Sequence, residues 1–182
     1  MEDIIKLHDK KFRIMIPAAK IDEAVAAVAC RINEDYRDKP TPLFVGVLNG
    51  SFMFMSDLIK KIEFNNELSF VKLASYEGTC STGCVKNLIG LNNSIEGRHV
   101  IIVEDIVDTG HSMDFLYRQF QARGARSLRL AVLVDKNERR EVPVTSHFVG
   151  FTLPSGFVVG YGLDYAESYR ELPAIYEAEI EE

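Results

Sequence analysis

Glu104, Asp105 and Asp108 stand close together in the chain, and Thr109, Gly110, His111 and Ser112 follow without interruption. Just before them, Val100 to Val103 are apolar and β-branched, the composition of a strand buried on both faces. An apolar pattern of helical period comes next, so the order is strand, acids, small polar turn, helix. In an open α/β sheet, ligands bind at the carboxyl ends of such strands, and a helix start offers unpaired N–H groups to an anion. The acids suit another part of a ligand. A carboxylate only accepts hydrogen bonds, so adjacent ones can hold two neighbouring hydroxyls or a hard metal ion. A phosphate at one end with vicinal hydroxyls beside it describes a ribose 5-phosphate. Two adjacent acids leaving a buried strand are costly unless something binds them.

The elements that must place these residues follow from periodicity. Alternation makes Phe12 to Ile16 a short strand. Ile21, Ala24, Val25, Val28, Ile32 and Tyr36 form one apolar helix face, ended by Pro40 and Pro42. Cys30, among Ala and Val in that helix, reads as a core residue. Leu43 to Leu48 is a second apolar run, and Asn49-Gly50-Ser51 turns it into an apolar helix from Phe52 to Ile62. That turn is either an ordinary connection or, from its place between strand and helix, a second set of backbone N–H groups for an anion. Phe64 to Leu73 has strand composition, with a start weakened by Asn65, Asn66 and Glu67. The stretch Glu77 to Cys84 carries two glycines, several hydroxyls and almost no bulky apolar side chain, which predicts a mobile loop over about 75–86. Within it, Cys80 and Cys84 read as two free thiols, a metal or disulfide pair being the alternative. Val85 to Leu91, Arg98 to Val103 and Ser127 to Val134 read as further strands. Between the last two, Met113, Leu116, Tyr117 and Phe120 form a helical stripe with Gly124 as its C-terminal cap. Strands alternating with helices predict an α/β fold with a central, mostly parallel sheet flanked by helices.

The chain of 182 residues is long enough for one domain with a sizeable core. Its net charge of −6 argues against a nucleic-acid surface, which needs clustered Lys and Arg, and suggests that any polyanionic ligand arrives with Mg²⁺ bridging carboxylates and phosphates. No run approaches the ~18 apolar residues of a membrane span. Met1-Glu2-Asp3 is acidic rather than signal-like, and the three cysteines do not suggest a secreted disulfide framework, so the cytoplasm is the expected location.

The stretch V-I-I-V-E-D-I-V-D-T-G-H-S closely resembles the phosphoribosyl-pyrophosphate motif of the type I phosphoribosyltransferases. A second segment, V-G-Y-G-L-D-Y from Val159 to Tyr165, resembles a signature of the hypoxanthine (guanine) phosphoribosyltransferases. The resemblance runs from about Leu43 to Leu172, with separated motifs in the expected order. It implies a single domain with its core over about 20–150 and a small hood subdomain from about 1–17 and 151–182.

It also implies roles. Glu104 and Asp105 would hold the ribose hydroxyls, and Asp108, Thr109, Gly110, His111 and Ser112 the 5-phosphate turn, His111 departing from the small or lysine residue often found there. Asp108 would be the catalytic base toward the purine N7. Leu48, Asn49 and Gly50 match a pyrophosphate loop in its Asn form, where the peptide before Asn is often cis. Asn49 brings no positive charge, so that loop must act mainly through its backbone. Ser75 and Tyr76 match the flexible-loop pair that closes over the reacting sugar. Lys136 would donate to the six-position oxygen of the purine, which disfavours an amino group there. Phe157 would stack on the base, and Val158 would offer backbone groups to its edge. Asp164 would sit at the purine site and, with Glu104 and Asp105, hold Mg²⁺, while Arg170 would grip pyrophosphate.

The expected reaction is transfer of 5-phosphoribosyl from phosphoribosyl pyrophosphate to hypoxanthine, and to guanine, by a homodimer or homotetramer. Two other readings are a catalytically silent sensor of phosphoribosyl pyrophosphate and a xanthine-preferring relative. The acidic charge, together with the presence of both Asp108 and Lys136, favours the enzyme.

Overall fold

Residues 4–8, 10–75, 85–91 and 94–179 are described by a computed structural model. Its strands and helices in chain order are β1 (Ile4–Leu7), β2 (Lys10–Ile16), α1 (Ala18–Tyr36), β3 (Leu43–Leu48), α2 (Phe52–Ile59), β4 (Glu67–Ser75), β5 (Val85–Ile89), β6 (His99–Val107), α3 (His111–Ala122), β7 (Ser127–Asp135), β8 (Phe148–Thr152), β9 (Val158–Val159) and β10 (Ile175–Ala178). Six strands form the main sheet in the order β5-β4-β3-β6-β7-β8. Five of them are parallel, and β5 closes one edge antiparallel to β4. The two ends of the chain build a second sheet, antiparallel and ordered β1-β2-β10-β9, over a small core of Leu7, Phe12, Val159, Ala174 and Tyr176.

The central strands β3, β6 and β7 are buried on both faces, as their unbroken apolar runs require. Alternation sorts their side chains. Phe44, Ile101, Val103, Ala131 and Leu133 face α1 and α2, whereas Val45, Val100, Ile102, Leu130 and Val132 face the Met113, Leu116 and Phe120 stripe of α3. Strand β6 pairs with β7 as far as Val107 and Asp135, so Glu104 and Asp105 lie inside the strand rather than after it. Pairing with β3 ends at Val103, and hydrogen bonding to β7 alone carries the strand past the point where its apolar run stops.

Other boundaries differ from expectation for local reasons. α2 ends at Ile59, short of Ile62. Phe64 does not start β4; its ring packs beside Tyr36 and Phe44 instead. Strand β4 runs on to Ser75, which pairs with Val85, so both ends of the expected loop are strand. Tyr76, Cys80 and Cys84 lie outside the described residues. Cys30, expected in the core, is exposed. It falls off the buried stripe of Val25, Val28, Ala29 and Ile32, on the solvent side of α1.

One buried polar residue ties helix to connection. The Asn33 side chain donates to the Lys61 carbonyl and accepts from the Glu63 amide, both at 3.0 Å. Asn33→Ala leaves both backbone groups without that partner, and urea unfolding should show a loss of about 1–3 kcal/mol. A loss within error would mean that water replaces the side chain fully.

Candidate active site

Strand order reverses between β3 and β6. From β3 the chain moves outward to β4 and then returns to place β6 on the other side of β3. Such a switch point opens a crevice at the carboxyl ends of the strands. Into it run Leu48 to Gly50 from β3, Glu104 to Ser112 from β6, and Lys136 from β7. The Leu48–Asn49 peptide is cis.

Three segments meet there at backbone distance. A β-carbon at Gly50 would overlap the Asp105 carboxylate, and one at Gly162, where φ is +98°, would overlap the Gly50 carbonyl. Arg170 then fastens the Gly162 segment. Its guanidinium donates to the Gly162 carbonyl at 2.8 Å and pairs with Asp164 at 2.9 Å.

Two cavities adjoin. One, of about 290 Å³, is lined by Leu48, Glu104, Asp108, Thr109, Gly110 and Ser112 among others. The other, of about 280 Å³, is lined by Asp105, Asp108, Lys136, Phe157, Val158 and Asp164 among others. Asp108 and Ile106 belong to both walls. The adjacent acids therefore part company: strand alternation turns Glu104 into the first cavity and Asp105 into the second, with Asp108 at the junction. A larger groove, near 1050 Å³, runs along the second sheet past Lys10, Lys11 and Arg13 and contains none of the β6 acids.

The first cavity suits an anion. Gly110 takes φ +95° directly before α3. Its carbonyl accepts the Asp114 amide at 2.9 Å, and the first N–H groups of the helix face outward without helical partners. Glu141 and Val142 brace this turn by donating their amides to the Thr109 carbonyl at 2.9 and 3.1 Å. The His111 ring meets the Glu141 carboxylate at 2.8 Å. Glu104 forms the far wall. It is buried, its Oε2 has no partner among the described residues, and burial, reinforced by the neighbouring charge of Asp105, pushes its carboxyl well up.

The second cavity has opposite polarities. Lys136 is only 3% exposed, and its Nζ donates to the Gly156 carbonyl at 2.6 Å. Burial pulls its ammonium down, partly offset by the charge of Asp108. Phe157 presents a ring that is 44% exposed, edge-on to Tyr165 at 5.3 Å. Arg170 lines neither cavity; Asp164 stands between it and the second.

A divalent cation fits this donor set in part. The orphaned Glu104 oxygen and the buried Asp105 carboxylate are hard oxygen donors. Yet among the described residues no three His, Cys, Asp or Glu side chains converge as a metal cage. Glu104, Asp105 and Asp164 are thus not a ready triad, and an ion held here would complete its shell with ligand oxygens, as Mg²⁺ commonly does.

The phosphoribosyl transferase domain pattern matches residues 17–166. The chain belongs to the phosphoribosyltransferase family. It is 43% identical over 164 residues to the hypoxanthine phosphoribosyltransferase of Escherichia coli, covering 89% of this chain and 92% of that one. It is 41% identical over 170 residues to the bifunctional protein TilS/HprT of Listeria innocua, covering 93% of this chain but only 26% of that longer protein. A solved hypoxanthine-guanine phosphoribosyltransferase from Bacillus anthracis superposes with a TM-score of 0.85 at 38% identity, covering 92% and 96% of the two chains.

Within this phosphoribosyltransferase fold, sequence reasoning overlooked Arg139, whose Nη1 lies 3.0 Å from Asp108 Oδ2, and Gly162, which carries the closest backbone approach. The first gave no signal inside the charged run Glu138 to Glu141. The second was marked only by the repeated Gly of G-Y-G. No helix among the described residues is long and apolar enough to cross a membrane.

The raised Glu104 carboxyl has a consequence for stability. The folded chain holds this proton more tightly than the unfolded chain, so the residue weakens the fold as pH rises through its folded range. Glu104→Gln has no such dependence. In chelator-treated protein, its melting temperature relative to the parent should climb as pH rises above the ordinary carboxylate range. A difference independent of pH would refute the assignment.

Proposed function

We propose that this chain transfers the 5-phosphoribosyl group of phosphoribosyl pyrophosphate to N9 of hypoxanthine, and of guanine, releasing pyrophosphate as IMP or GMP forms. The observation that carries this reading is Asp108 at the junction of an anion-binding turn and a cavity that presents Lys136 and Phe157.

The first N–H groups of α3 and the hydroxyls of Thr109 and Ser112 take the 5-phosphate in the first cavity. The ribose spans the junction, with Glu104 on one side and Asp105 on the other. The charge of Asp105, joined by that of Glu104 once a bound ligand relieves its burial, favours the cation-like sugar as the bond from C1′ to pyrophosphate breaks and N9 forms the new one. Asp108 accepts the proton that leaves N7. Leu48, Asn49 and Gly50 offer backbone groups to pyrophosphate. Glu104 and Asp105, and Asp164 if it moves toward them, would hold Mg²⁺ together with substrate oxygens, and that ion would supply charge neutralisation of the leaving group. Arg170 braces Asp164, and can grip pyrophosphate only by exchanging the bonds it now makes. Ser75 and Tyr76 are assigned to closure over the sugar, which keeps water from the developing cation.

In the base cavity, Lys136 donates to the six-position oxygen, Phe157 stacks on the ring and Val158 borders its edge. Exposed Phe52, Leu68 and Phe70, at 44%, 48% and 38%, suit assembly as a homodimer or homotetramer. The terminal sheet is our candidate for the hood expected from residues about 1–17 and 151–182.

The test is nucleotide formation from phosphoribosyl pyrophosphate and Mg²⁺ with hypoxanthine, guanine, xanthine and adenine in parallel. Oxopurines should give product and adenine none. Asp108→Asn should lower kcat by about 10²–10⁴-fold while leaving ribose-phosphate binding intact. Lys136→Ala should raise the KM for hypoxanthine roughly tenfold or more, the worth of a charged hydrogen bond. Tight binding of phosphoribosyl pyrophosphate without product from any base would instead indicate a sensor.

A further inference from the structure

We propose that Arg139 is a positioning residue for Asp108, pairing with the carboxylate oxygen that is open to the base cavity and so fixing the direction in which it meets the N7 proton of the purine. The inference rests on Asp108 being the base in the reaction proposed above, and adds a residue to it.

The two oxygens of Asp108 are not equivalent. Oδ2 lies 3.0 Å from Arg139 Nη1. Oδ1 is buried and has no partner among the described residues. Arg139 itself lines the second cavity, beside Lys136 and Asp108. Because Oδ1 is buried, Oδ2 is the oxygen a ligand can reach, and with the guanidinium on one side of it the directions left to its second lone pair are restricted. That is what a general base needs, because proton transfer falls steeply once the acceptor turns away from the line of the donor.

No neighbouring cation makes the same contact. The Lys136 ammonium donates to the Gly156 carbonyl, and Arg140 pairs with Asp135. The chain delivers Arg139 through a single 3-10 turn, Asn137–Arg139, which starts directly after Lys136 and closes with the Arg139 amide on the Lys136 carbonyl at 3.3 Å. One short turn thus sets two cations at the base cavity, one free to face an oxo group and one facing the carboxylate. The Arg139 side chain is 53% exposed, so its removal should perturb folding little.

The experiment compares Arg139→Gln and Arg139→Lys with the parent and with Asp108→Asn, under saturating phosphoribosyl pyrophosphate and Mg²⁺. Arg139→Gln should lower kcat about tenfold, a fraction of the full contribution of a base. KM for hypoxanthine and the preference for hypoxanthine over adenine should stay within about twofold, since Lys136 is untouched. Arg139→Lys should recover most of the lost turnover by restoring the donor. In the Asp108→Asn background, Arg139→Gln should have no further effect, because there is no base left to orient.

Unchanged kcat in Arg139→Gln overturns the proposal. So does an equal loss of turnover in the Asp108→Asn background, or a shift in KM and base preference, which would mean that the turn merely carries Lys136. Absence of product from the unmutated protein overturns the base role of Asp108 itself, and is told apart from an active parent whose turnover ignores Arg139.

Discussion

Everything at the site depends on carboxylates that the fold buries without neutralising. Glu104 and Asp105 are both under a tenth exposed, on the central strand of the sheet, and among the described residues no cation pairs with Glu104. Such a placement is unfavourable in isolation, since a carboxylate taken from water must be paired, hydrogen-bonded or protonated. The surrounding sheet offsets it. β3, β6 and β7 carry long runs of fully buried aliphatic side chains, packed by α1 and α2 on one face and α3 on the other. Stability made in the middle of the sheet supports an unstable edge where ligands enter, and a ligand bringing hydroxyls and cations relieves that edge.

Close backbone contact is the second condition. Asp105, Gly50 and Gly162 come from three different segments, and they touch because two of them lack side chains. Any β-carbon at Gly50 would take the place of the acid itself. The same economy recurs at Gly110, where a β-carbon would meet the Val142 carbonyl 2.6 Å away. The turn can therefore be braced from behind by the amides of Glu141 and Val142 while its N–H groups face the cavity. Tyr161 adds a longer tie, donating its hydroxyl to Asp57 on α2 at 2.6 Å and so fixing the Gly162 segment to the helix that follows the turn of Leu48, Asn49 and Gly50.

Much of this was legible in the chain, and the parts that were not share a cause. Apolar runs gave β3, β6 and β7 to within a few residues, because a strand buried on both faces needs little but its own composition. Where pairing rather than composition sets a boundary, the reading stopped early, as at Val103, or started early, as at Phe64. The first of these errors hid the division of Glu104 and Asp105 between two cavities, which follows at once from alternation when the strand is carried to Val107. Cys30 was misplaced because Ala and Val on both sides of it blur the helical stripe. Arg139 could not have been singled out, since its meaning comes from a contact with a residue 31 positions earlier in the chain.

In the proposed reaction, the cavity of Lys136 and Phe157 would select its base through polarity rather than shape. Lys136 offers donors only, and Asp108, while ionised, offers acceptors only. An oxopurine presents the complementary pair along one edge, an oxygen at the six position and a hydrogen on N7. An amino group at the six position would set donor against donor. The penalty is sharpened by what Lys136 already does, because its ammonium is buried and is held by the Gly156 carbonyl. A base that can accept from the ammonium adds a bond to one already made; a base that cannot leaves buried N–H groups with nothing to replace water. Rejection then rests on desolvating ammonium N–H groups that gain no acceptor, which is a larger effect than the loss of one neutral hydrogen bond, and it operates before any chemistry begins.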